Sequence, residues 1–187
     1  MQSQPPVEFT DEIKSLFVEK KLSQARQRLL ETLNNQWDGH CNLIAFTYLY
    51  AEQRSEEDCT QALHWLEQGV ARDEVDAKVI LGRLLLSGEA GPQDFPRGMQ
   101  LLEQAAQANV LMAVLTLAQI HHGGVEGQLE ANVELTQRYV KQAADLGAPN
   151  SAYRLALEME SGENPDLAQA FKYFDKAAQG GLSQAMH

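Results

Sequence analysis

The apolar positions fall in a repeating order: a small residue, a leucine four places on, and a second small residue beside it. Three segments show it, beginning Ala77-Lys-Val-Ile-Leu81-Gly82, Ala113-Val-Leu-Thr-Leu117-Ala118 and Ser151-Ala-Tyr-Arg-Leu155-Ala156, each with a glycine at the twelfth place (Gly88, Gly124, Gly162). A second pattern keeps step with the first: Asp58-x3-Ala62-x2-Trp65, Asp94-x3-Gly98-x2-Leu101, Asn132-x3-Thr136-x2-Tyr139 and Asp166-x3-Ala170-x2-Tyr173. Small pairs follow at Gly69-Val70, Ala105-Ala106, Ala143-Ala144 and Ala177-Ala178, and Asp73, Asn109, Gly147 and Gly181 close the units. Small residues a turn away from large ones let two helices approach closely. The Asp or Asn before each second helix is placed to cap its free N–H groups, and the closing glycines to terminate helices in a left-handed conformation. The pattern therefore predicts tandem helix–turn–helix units, none able to bury both faces alone, stacked into a superhelix.

The phrases Ala152-Tyr-Arg-Leu-Ala156, Asp166-Leu-Ala-Gln-Ala170-Phe-Lys-Tyr173 and Lys176-Ala-Ala-Gln-Gly-Gly181 resemble the Sel-one-like repeat, a relative of the tetratricopeptide repeat. The resemblance implies an all-α superhelix, a solenoid of antiparallel helix pairs, over residues 41–187, with units at about 41–76, 77–112, 113–150 and 151–184. Extended backwards, the register makes 10–40 a degenerate N-terminal capping pair, Asp11 to Glu19 and Leu22 to Leu33, after a disordered tail at 1–9. The ninth place of the first helix, a tyrosine in the family, holds Leu49, Leu85, His121 and Met159, and the third unit carries a longer loop, Gly123 to Ala131. The motif restarts at Ser183-Gln-Ala185 and the sequence stops at His187. Because a solenoid ordinarily ends in a polar capping helix, the expectation is a trimmed part of a longer protein, or a face that self-associates.

Composition supports helices: Leu, Ala and Gln greatly outnumber Val and Ile. The 187 residues carry a net charge of −11, which opposes binding to nucleic acid or to anionic lipid. Between residues 41 and 130 there are 5 basic and 13 acidic side chains, a field that favours a basic or amphipathic partner. Met1 to Val7 has neither the basic start nor the apolar core of a secretory signal, and the longest apolar run, Val110 to Leu115, is far short of a membrane span. The expected location is the cytoplasm. Cys41 and Cys59, in no paired motif, are expected as reduced, partly buried thiols.

No motif for a serine nucleophile, a metalloprotease or a phosphate loop is present, so neither catalysis nor a cofactor nor a metal is expected. His121-His122 is the best metal candidate, but adjacent helical residues diverge by about 100 degrees. His121 is expected in the core and His122 outside. The acidic groups Glu56-Glu57-Asp58 and Asp73-Glu74 with Asp76 read as solvated connections.

What remains is a surface. In such pairs the first helices line the concave wall, and the third, seventh and tenth places share one stripe. The rows are Leu43, Val79, Leu115, Tyr153; Thr47, Arg83, Gln119, Leu157; and Tyr50, Leu86, His122, Glu160. Interior packing is an equal claimant for the third-place row. The partner-binding set expected from the stripe is Tyr50, Arg83, Leu86, Gln119, His122, Tyr153, Leu157 and Glu160. By resemblance the function is a non-enzymatic adaptor that holds a peptide or partner protein. The alternatives are a regulatory or substrate-presenting domain of a larger protein, and an inhibitor or immunity-type protein for one target.

Overall fold

Small residues of the repeat meet at helix crossings within residues 41–181, and the architecture follows from that. A computed structural model describes residues 7–32, 40–162 and 165–181. Ten α-helices occur among them: α1 (Val7–Val18), α2 (Leu22–Glu31), α3 (His40–Leu49), α4 (Glu56–Ala71), α5 (Val75–Ser87), α6 (Phe95–Gln107), α7 (Leu111–Gly123), α8 (Val133–Asp145), α9 (Pro149–Ser161) and α10 (Leu167–Gln179). An isolated bridge, Val125 to Leu129, is the only β-pairing among the described residues. The class is all-α, built of helix hairpins. Residues 1–6 of the expected tail, the end of the expected capping pair at Leu33, and the restart at Ser183 lie outside the described residues, whereas 7–9, expected in the tail, open α1, which starts four residues before the expected Asp11.

The chain divides into two compact units, 1–104 and 105–187, the boundary falling inside α6. In the first, α3 packs on α4, and α5 packs on α4 and α3. The small and large positions of the repeat make its core: Ala45, Ala62, Leu66, Ala77, Leu81 and Leu101 are buried. Gly82 and Gly98 bring α5 and α6 nearly to backbone contact; a Cβ at Gly98 would stand 2.8 Å from the Gly82 carbonyl oxygen. In the second unit α7 packs on α8, α8 on α9 and α9 on α10, around Ala144, Ala152, Ala156, Tyr173 and Ala177.

The turns repeat as the motifs do. Asp73, Asn109, Gly147 and Gly181 all have positive φ, between 60° and 91°. At three of them the next N–H reaches back to a small residue: Glu74 to Gly69, Val110 to Ala105 and Ala148 to Ala143. This is the Schellman closure, and it explains why the small pairs keep register with the closing residue. Asn132 and Asp166 cap α8 and α10 through their side chains. In α4 the expected cap, Asp58, is instead the third helical residue. Ser55 is the cap, and the two form a reciprocal capping box. Gly162 has φ −67°, so α9 ends without the expected left-handed glycine.

Glu74 also departs from expectation. It is buried rather than solvated, held beside Cys41 and over Gly69. Glu56, Glu57 and Asp58 are the first turn of α4 rather than a connection, where negative charge complements the helix dipole.

Candidate functional site

Consecutive first helices leave an open hollow in each unit. In the first unit it lies between α3 and α5 and measures about 280 Å³. Phe46, Leu49 and Tyr50 line it from α3, and Ile80, Arg83, Leu84 and Ser87 from α5. Tyr50 is 63% exposed and stacks on Phe46 with ring centroids 4.1 Å apart. Arg54 and Glu89 close one side with an ion pair at 2.9 Å, and the Arg54 guanidinium also donates to the Leu49 carbonyl.

In the second unit the hollow lies between α7 and α9, about 320 Å³, with Leu115, Ala118, Gln119 and His122 on one wall and Asn150, Ser151 and Arg154 on the other. A neighbouring recess shares His122 and Arg154 and adds Val133 and Glu158. Arg154 faces Glu158 at 3.8 Å, an open, solvated pair.

The two hollows use matching places of the repeat. The sixth and tenth places of one first helix (Phe46 and Tyr50; Ala118 and His122) face the fourth place of the next (Ile80; Arg154). Of the eight expected residues, Tyr50 and Arg83 line the first hollow, and Gln119 and His122 the second. The other four lie elsewhere. Leu86 is half-buried, with its side chain against Gly98 of α6. Tyr153 packs edge-on to Phe174 of α10, ring centroids 5.7 Å apart. Leu157 and Glu160 are exposed on α9 and line neither hollow.

The stripe fails for a physical reason at its first members. Thr47 is buried because Arg26 of α2 donates to its hydroxyl (3.0 Å) and its carbonyl (2.8 Å). The same guanidinium lies 3.5 Å over the Tyr48 ring. Val79 is also buried, as interior packing would have it. Sequence reasoning missed Arg54, Glu89 and Arg154. The signal that finds Arg154 is the fourth place of the following helix, which faces back across the hollow.

His121 is buried and stacked on Tyr139, centroids 5.7 Å apart and rings nearly parallel, while His122 is exposed. The Asn132 N–H donates to the His121 carbonyl at 2.7 Å and so ties down the long loop. No cluster of three metal-ligating side chains occurs among the described residues. Cys41 and Cys59 are free thiols. Among the described residues no helix is long and apolar enough to cross a membrane.

The family model for the Sel1 repeat matches residues 41–73, 75–110, 112–147 and 149–182. No curated protein sequence matches the chain. Among solved structures, a Sel1 repeat protein from Oxalobacter formigenes is similar with a TM-score of 0.71 at 19% identity, over 94% of this chain and 71% of that one. A protective antigen of uropathogenic Escherichia coli strains, displaying an SLR fold, gives 0.62 at 19% identity, over 86% of this chain and 34% of that one. An immunity protein from Pseudomonas aeruginosa gives 0.57 at 16% identity, over 97% and 70%. At these identities the likeness is one of fold.

Proposed function

Because this chain belongs to the Sel1 repeat family, whose all-α repeats generally mediate protein–protein interaction, we propose that it is a non-enzymatic adaptor whose first helices hold a peptide or partner protein. The observation that carries this reading is the pair of matching hollows. Each has an exposed ring at the tenth place of one first helix and an exposed arginine on the next, Tyr50 with Arg83 and His122 with Arg154, the arginines coming from the seventh and fourth places. In the first hollow Tyr50 is 63% exposed and stacked on Phe46, which leaves an aromatic face open to a partner. Exposed aromatics beside arginine are the composition of interaction surfaces. Leu157 and Glu160 extend the surface along α9, and the α1–α2 pair caps the repeat stack.

Truncation tests it. Tyr50→Ala is expected to weaken partner binding about tenfold or more, as loss of an interface aromatic does, with the melting temperature unchanged. Glu160→Lys is expected to weaken binding to a basic partner and likewise to leave folding intact. Unaltered binding in both variants contradicts the first-helix assignment.

A second reading is favoured by one comparison. The fold is also that of an immunity protein, so an inhibitor of a single target fits the same surface. Binding of one target at nanomolar affinity with loss of that target's activity would select the inhibitor over the adaptor.

A further inference from the structure

The hollow between α3 and α5 has a local charge opposite to that of the chain. The protein carries −11, yet two guanidiniums and one carboxylate line this hollow. Arg54 is committed, since it pairs with Glu89 and donates to the Leu49 carbonyl. Arg83 is not: it is exposed and makes no hydrogen bond or ion pair among the described residues. Arg26 is engaged with Thr47, Arg28 with Glu12 and Glu31, and Arg97 with Glu67, and Arg72, also unpaired, lies at the end of α4 and does not line the hollow. Beside the unengaged guanidinium stand apolar walls, Phe46, Ile80 and Leu84, with the Tyr50 ring stacked at the rim. At about 280 Å³ the space falls just below the range of ligand clefts, roughly 300 to 1,000 Å³, and suits a side chain better than a cofactor.

We infer that this hollow recognises a carboxylate-bearing peptide segment, the acid pairing with Arg83 and a neighbouring aliphatic or aromatic side chain entering between Phe46 and Ile80. The inference rests on the adaptor reading and sharpens it, because the bulk charge alone favours a basic partner. Two physical points support it. A guanidinium presents a planar fork that matches a carboxylate with two parallel hydrogen bonds. The surrounding acidic field disfavours an anion at long range, so recognition must come from this short-range pairing, and the low-lying apolar wall strengthens it by excluding water.

The test is a titration of the isotope-labelled full chain, followed by NMR, with three peptides: acetyl-Leu-Glu-Phe-amide and its Gln and Lys counterparts. The Glu peptide is expected to shift the signals of Tyr50 and Arg83 saturably, and the Gln peptide to bind about tenfold more weakly, the effect of one charge-assisted hydrogen bond. Arg83→Gln is expected to erase that preference while leaving the spectrum elsewhere unchanged, since the exposed guanidinium makes no hydrogen bond or ion pair among the described residues. Equal binding of the three peptides, preference for the Lys peptide, saturable shifts that map away from Tyr50 and Arg83, or no saturable shift overturns the inference. Preference for the Lys peptide at Tyr50 would leave the adaptor reading standing and remove only the acidic partner.

Discussion

Asp145, at the end of α8, accepts from Lys141 and Lys176 at 2.9 Å each and from the Tyr173 hydroxyl at 3.1 Å, so one carboxylate ties α8 to α10. Partial burial opposes its ionisation, but the three donors outweigh that and bring its pKa down to about 2. A carboxylate depressed in the folded state stabilises above its unfolded pKa of 3.8, and that contribution is lost as pH falls toward 2. Its side chain is 43% exposed, so solvent screening reduces the contribution to about 1 kcal/mol. Asp145→Asn is therefore expected to lower stability by about that much at pH 7 in denaturant titration, with the gap to wild type closing as the solution is acidified through this window. A gap that stays constant down to low pH contradicts it. Burial, with the nearby Glu74 carboxylate second, pushes the Cys41 thiol up to about 11, whereas Cys59 is half-buried. Iodoacetamide is expected to alkylate Cys59 well before Cys41; the reverse order contradicts the burial of Cys41. Hydropathy placed both thiols on helices, but it could not show that Glu74, one of three acids in four residues, turns inward over Gly69. A turn residue's direction is decided by its φ and ψ, which composition does not report.

At the level of helices and turns, the repeat was legible almost residue by residue. Small residues in the sequence became helix crossings because only they let backbones approach, and the closing Asp, Asn and Gly became left-handed because those residues tolerate positive φ best. The capping box at Ser55 was less legible, since the register aligns Asp58 with true caps at Asn132 and Asp166. Ser55→Ala is expected to cost about 1 kcal/mol. Gly98→Ala tests the α5–α6 crossing more sharply. The added methyl would meet the Gly82 carbonyl at 2.8 Å and the Leu86 side chain at 2.9 Å. Overpacking of this kind costs about 1–3 kcal/mol, against a helix-propensity gain of up to about 1 kcal/mol. A net fall of a few degrees in melting temperature is expected. Gly123→Ala, with nothing within 4 Å of the new methyl, is the control and is expected to leave stability equal or higher.

For the molecule as a whole, the sequence carried the fold further than the site. One stripe drawn identically on every first helix assumes that each helix meets the same surroundings. They do not: Arg26 covers Thr47, Phe174 takes Tyr153, and Gly98 receives Leu86. A hollow between two helices draws different places from its two walls, which is why Tyr50, Arg83, Gln119 and His122 lie in the hollows while Arg154 went unnoticed. The net charge, likewise, describes the bulk and misses the guanidinium left unengaged at Arg83. The central claim is that partners are held on the first-helix faces. It is tested most directly by placing a photo-crosslinking benzoylphenylalanine at Tyr50 or His122, and in parallel at the exposed second-helix positions Thr60 and Lys172, and irradiating each in native lysate. One shared set of crosslinked proteins is expected from Tyr50 and His122, and none of that set from Thr60 or Lys172. The same proteins captured from Thr60 or Lys172, and not from the first helices, would contradict it.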